Sequence, residues 1–73
     1  MTVRFASLRD IREFVSMATL QPYNVMVLDG DRAVNAKSFM EMFTRDFAHP
    51  LHVDAGENAD RFALVAKKFI CES

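Results

Sequence analysis

At the start of the chain apolar and polar residues alternate. Val3 and Phe5 fall on one side and Thr2 and Arg4 on the other, which predicts a half-buried strand over Thr2 to Ala6. The period then lengthens. Ile11, Phe14, Val15 and Ala18 recur at helical spacing, with Arg9, Arg12, Glu13 and Ser16 on the opposite face. Ser7, followed three residues later by Asp10, reads as a capping-box start, and Gln21-Pro22 reads as the stop. Tyr23 to Leu28 is rich in strand formers with apolar residues on both faces, the pattern of a central strand. Asp29-Gly30 is a tight hairpin signal, and Arg32 to Val34 supplies a short return strand.

Ser38-Phe39-Met40-Glu41 repeats the capping pattern and opens a short helix to about Thr44. Phe39, Met40, Met42 and Phe43 surround nearly its whole circumference. A helix that short cannot bury every side, so Met42 is expected inside, with Met40 and Phe43 at least partly exposed. His49-Pro50 marks a turn before a fourth strand, Leu51 to Ala55, which Gly56 ends. Asn58 is placed to cap a last helix whose stripe is Ala59, Phe62, Ala66, Phe69 and Ile70. Lys67 and Lys68 lie near its C-terminus, where the helix dipole favours cations. The predicted order is β-α-β-β-α-β-α, an α+β domain covering residues 1–73. Helices packed on one face of a four-stranded sheet are the simple layered solution for it.

Composition narrows what such a domain can do. A chain of 73 residues buries only ~60% of the surface its unfolded form exposes. Its 51% hydrophobic content must go mostly to core, which leaves little wall for a deep substrate cleft. A binding module is therefore expected rather than an enzyme, with no cofactor. The net charge of −1 comes from scattered basic residues with acids nearby, not from a stripe that could neutralise nucleic-acid phosphates. Cys71 is the single cysteine, so the chain forms no intrachain disulfide, which fits a cytoplasmic setting. No apolar run approaches the ~18 residues of a membrane span. His49 and His52 stand three apart on a strand, hence on opposite faces, so joint metal ligation is not expected. The expected partners are proteins, not nucleic acid or membrane, and the chain is expected to be a monomer.

One stretch carries a family resemblance: Val27-Leu28-Asp29-Gly30-Asp31-Arg32-Ala33-Val34-Asn35-Ala36-Lys37-Ser38-Phe39-Met40. It resembles HPr, the histidine-containing phosphocarrier of the bacterial sugar phosphotransferase system. There the corresponding segment is a strand, a tight turn, a short strand reading like Thr-Val-Asn, then Leu-Lys-Ser-Ile-Met. Val34-Asn35, Lys37-Ser38 and Met40 match by identity, and Ala55-Gly56 resembles the family's step into its last helix. The resemblance implies an HPr-like open-faced β-sandwich: a four-stranded antiparallel sheet with three helices on one side.

The resemblance also implies site positions. Aligned without gaps, Ser7 stands where the family carries its phosphorylated histidine, Arg9 matches the family's arginine, and Asp10 replaces a proline. The chain is shorter than the family around Asp46 to His49. Serine is no substitute for imidazole, because a phosphoserine is a stable ester while phosphohistidine transfers its group readily. Asp10 would also repel an anion that the helix N-terminus otherwise favours. The implied protein is an HPr relative degenerate at its histidine, acting as a regulatory or partner-binding module. Alternatives are a phosphocarrier with a non-standard acceptor and a repurposed interaction domain. Ser38 aligns with the serine that a dedicated kinase phosphorylates in many Gram-positive HPr proteins. Phe39, Met40 and Phe43 align with apolar docking positions, Arg9 with an anion contact, and Leu8 is expected to bind partners together with them. Serine also has an ordinary use at these places, as a helix cap of ~1 kcal/mol.

Overall fold

The first strand, β1 (Thr2–Val3), leads into helix α1 (Leu8–Thr19), the hairpin β2 (Met26–Asp29) and β3 (Arg32–Asn35), helix α2 (Phe39–Phe43), strand β4 (Leu51–Asp54) and helix α3 (Ala59–Val65). The architecture is that of a computed structural model which describes residues 1–43 and 49–71. The predicted end of the second helix at Thr44 lies outside them.

The four strands form one antiparallel sheet in the order β1-β4-β2-β3. Its register explains the alternation in the sequence. Val3 stands opposite Leu51, Val53 opposite Val27, and Val27 opposite Val34. These residues share one face and are all buried. The neighbours in register, Thr2, His52, Leu28 and Ala33, share the other face and are exposed or only partly buried. The helices therefore cover one face and leave the other open. The tight turn works as its sequence requires. Asp29 pairs with Arg32 across a two-residue loop, and Gly30 holds φ at 62° in the first loop position, where a type II′ turn needs glycine.

Under the covered face lies an aromatic core. Phe14 packs edge-to-face on Phe5, Phe62 and Phe69, with ring centroids 5.1, 5.6 and 5.9 Å away. Ile11, Phe14, Val15 and Ala18 form the buried stripe of α1, as the helical spacing predicts. Fully burying each large side chain contributes about 1.5–3 kcal/mol relative to exposure.

Several boundaries differ from the sequence reading, each for a tertiary reason. Of the predicted strand Thr2 to Ala6, only Thr2–Val3 forms ladder pairs with β4. The C-terminal segment takes the outer side of β1 instead: Arg4 N–H donates to the Phe69 carbonyl at 2.9 Å and Cys71 N–H to the Thr2 carbonyl at 2.8 Å. Ile70, which fits the helical stripe, is extended and bridges to Val3. The last helix accordingly stops at Val65, and Lys67–Phe69 is a 3-10 turn. β2 begins at Met26 rather than Tyr23, because Met26 is the last residue with partners on both sides, Asn35 and Asp54. Asn58 precedes α3 but makes no side-chain cap, and the turn before it is fixed by Gly56 N–H donating to Asp54 Oδ1 at 2.8 Å.

The end of α1 has neither glycine nor basic residue, and side chains satisfy its carbonyls. Thr19 Oγ1 donates to the Val15 carbonyl at 2.8 Å and Gln21 Nε2 to the Met17 carbonyl at 3.0 Å. Lys37 Nζ donates to the Gln21 carbonyl at 2.8 Å. That last bond ties the loop entering α2 to the end of α1.

Candidate functional site

Two helix starts build the site. At the first, Ser7 is extended (φ −159°, ψ 171°) and in the N-cap position, but its hydroxyl makes no capping hydrogen bond. The residue that fastens this turn is Asp10, whose Oδ2 accepts the Ala6 N–H at 2.8 Å. Half of the expected capping box is thus present, shifted one residue upstream, and the serine half is not. The carboxylate occupies the turn where an anion would otherwise sit.

At the second start the serine half of the predicted capping box is formed, and the Asn35 carbonyl takes the Ser38 N–H that the box assigns to Glu41. Glu41 N–H donates to Ser38 Oγ at 3.3 Å, and Ser38 N–H donates to the Asn35 carbonyl at 3.0 Å. Asn35 Oδ1 also accepts the Lys37 N–H at 2.9 Å, which turns the chain out of β3 and into α2. Met42 is fully buried, whereas Met40 is 80% and Phe43 46% exposed. Phe39 is half-buried against the core and stacks obliquely on Phe43, with ring centroids 4.7 Å apart.

α1 and α2 pack side by side. Leu8, Arg9, Arg12 and Phe43 line a shallow depression of about 290 Å³ between them. Of the residues singled out from the sequence, Leu8, Arg9 and Phe43 therefore meet in one place, with Phe39 joined to them through the Phe43 ring. Ser7 and Ser38 stand at the two helix starts and do not line the depression. Arg12 was missed, having been assigned to a solvated face. Its signal was available, since Arg12 lies four residues after Leu8 and so shares its side of the helix.

Two larger depressions lie elsewhere. One runs along Tyr23, Asn24, Met26 and the Asp54–Asn58 turn, and the other lies between Arg4, Asp10 and the C-terminal segment, where the Cys71 thiol is half-buried. His49 Nε2 stands 3.3 Å from Asp29 Oδ1 at the hairpin, and His52 projects from the open face of β4. Among the described residues no three His, Cys, Asp or Glu side chains group as metal ligands, and no helix is long and apolar enough to cross a membrane. The chemistry the depression can offer is recognition: two guanidinium groups beside the exposed Leu8 and Phe43 side chains suit a surface that is both apolar and acidic.

Compared with known proteins, the chain matches no family model, no curated protein and no solved structure.

Proposed function

We propose that this chain is an HPr-like open-faced β-sandwich acting in the cytoplasm as a regulatory or partner-binding module related to the phosphotransferase system. It is not an enzyme, and it does not carry phosphate on histidine. The observation that carries the reading is the convergence of Leu8, Arg9 and Phe43 on one depression, with Met40 80% exposed nearby. Met40 and Phe43 come from positions that the HPr resemblance assigns to docking and Arg9 from its anion contact, and Leu8 and Phe43 lie 35 residues apart in sequence (43 − 8). The antiparallel sheet and three helices support the same reading at the level of fold class.

Loss of phosphocarrier chemistry follows from Ser7 and Asp10. A serine would hold phosphate as a stable ester, and the Asp10 carboxylate, held in the first turn by the Ala6 N–H, opposes an anion there. Ser38 remains the residue for regulation. A phosphate on it would sit at the start of α2, and its negative charge would change how a partner meets Met40 and Phe43.

The test is incubation with the phosphoenolpyruvate-dependent kinase of the system (enzyme I) and, separately, with the ATP-dependent serine kinase, followed by mass spectrometry. Label on Ser38 alone is the expected result. Acid-labile label on His49 or His52 would overturn it in favour of a carrier with an unusual acceptor. Label nowhere would leave a repurposed interaction domain outside the pathway.

A further inference from the structure

The sheet has two outer sides, and they are finished differently. Along β1 the C-terminal segment takes the Thr2 carbonyl and the Arg4 N–H. Along β3 nothing equivalent is present among the described residues. The pairing fixes which groups point outward there. Ala36 N–H donates to the Val25 carbonyl at 2.9 Å, so the hydrogen-bonded pairs run 25/36, 27/34 and 29/32 by antiparallel alternation. Ala33 and Asn35 are then the residues whose N–H and C=O groups face away from β2. Ser38 N–H takes the Asn35 carbonyl. Three groups remain: the Ala33 N–H, the Ala33 carbonyl and the Asn35 N–H. Arg32, Ala33 and Asn35 are all exposed, and the register through β3 is continuous, without bulge or proline.

Natural sheets blunt such edges with short strands, charges, bulges or proline, because an open edge is a template for another strand. β3 is short and carries one charge, Arg32, which has no carboxylate partner among the described residues. We propose that β3 accepts an extended peptide segment of a partner protein, added antiparallel through Ala33 and Asn35. The occupant's chemistry follows from the register. The partner residue facing Ala33 exchanges two backbone hydrogen bonds with it and cannot be proline. The preceding partner residue lies opposite Val34 and is apolar. The following one lies opposite Arg32 and carries a carboxylate. A second copy of β3 fits less well: pairing Ala33 with its own counterpart puts the two Arg32 side chains on diagonal positions of one face, where like charges repel. This site is distinct from the α1–α2 depression and does not depend on the phosphotransferase reading.

The test titrates the protein with the blocked peptide Thr-Val-Thr-Glu-Thr at millimolar concentration and reads backbone amides by NMR. The Ala33 and Asn35 amides should shift saturably and exchange more slowly with solvent. A peptide N-methylated at its central threonine should bind the unaltered protein roughly tenfold more weakly, about the effect of one lost hydrogen bond. Ala33→Pro, which removes an outward donor that an edge strand can spare, should do the same. Arg32→Glu should weaken this peptide and strengthen a lysine analogue. Absence of a saturable shift at those two amides, or a shift indifferent to N-methylation, would overturn the proposal. A shift that grows with protein concentration alone would overturn it in favour of self-pairing.

Discussion

The same residue type builds two clusters in this molecule, one closed and one open. Phe5, Phe14, Phe62 and Phe69 are at most 4% exposed and meet edge-to-face around Phe14. Phe39 and Phe43 also form a ring pair, yet Phe43 is 46% exposed beside Leu8, Arg9 and Arg12. The inner rings come from segments that each have a buried side to fill: the stretch after β1, the long helix α1, α3 and the 3-10 turn after it. The outer pair comes from α2, where Met42 alone is fully buried among the described residues. Element length decides which aromatics stabilise and which are left for contact.

The comparison breaks most clearly at Phe14. Phe14→Ala should cost about 3–5 kcal/mol, comparable to the whole stability of a domain this small, and urea denaturation should show little or no folded baseline. The open cluster should behave oppositely. Met40→Ala with Phe43→Ala should leave the urea midpoint little changed, within about 1 kcal/mol, while weakening any partner captured at the depression by tenfold or more. A comparable loss of stability would make the outer pair part of the core.

Smaller effects separate the two helix starts. Ser38→Ala should cost ~1 kcal/mol, because Ser38 Oγ accepts the Glu41 N–H. Ser7→Ala should change stability by only a few tenths of a kcal/mol, since that hydroxyl caps nothing. Thermal melts of the two variants side by side decide this. Equal losses would mean that Ser7 caps in solution after all.

Much of this arrangement was legible in the sequence. Alternation, helical spacing, the hairpin signal and the second capping pattern together placed the seven elements in order; in β1, α1, β4 and α3 the hydrophobic period matches the face the element buries. The exposure of Met40 and Phe43 followed from helix length alone. What was not legible depends on partners distant in sequence. Ile70 fits a helical stripe, but pairing with Val3 draws it out of the helix. Ser7 and Ser38 have the same cap signature, and only the second is used. At the first, the Asp10 carboxylate bonds the Ala6 N–H, a choice that spacing does not encode. The site was legible only as a set of positions carried by a resemblance. That Leu8 and Phe43 meet depends on how α1 and α2 pack, helped by the Lys37 bond to the end of α1.

The C-terminal segment running beside β1 has a consequence for how the domain can be combined with others. Val3 and Ile70 face each other across a bridge, and the Met1 carbonyl is bound by Val53 N–H at 2.7 Å, so the strand that starts the fold and the segment that finishes it lie side by side. A host polypeptide could enter and leave through the same side of the sheet. With its first and last described residues on one side of the sheet, the fold is suited to insertion within a loop of another protein.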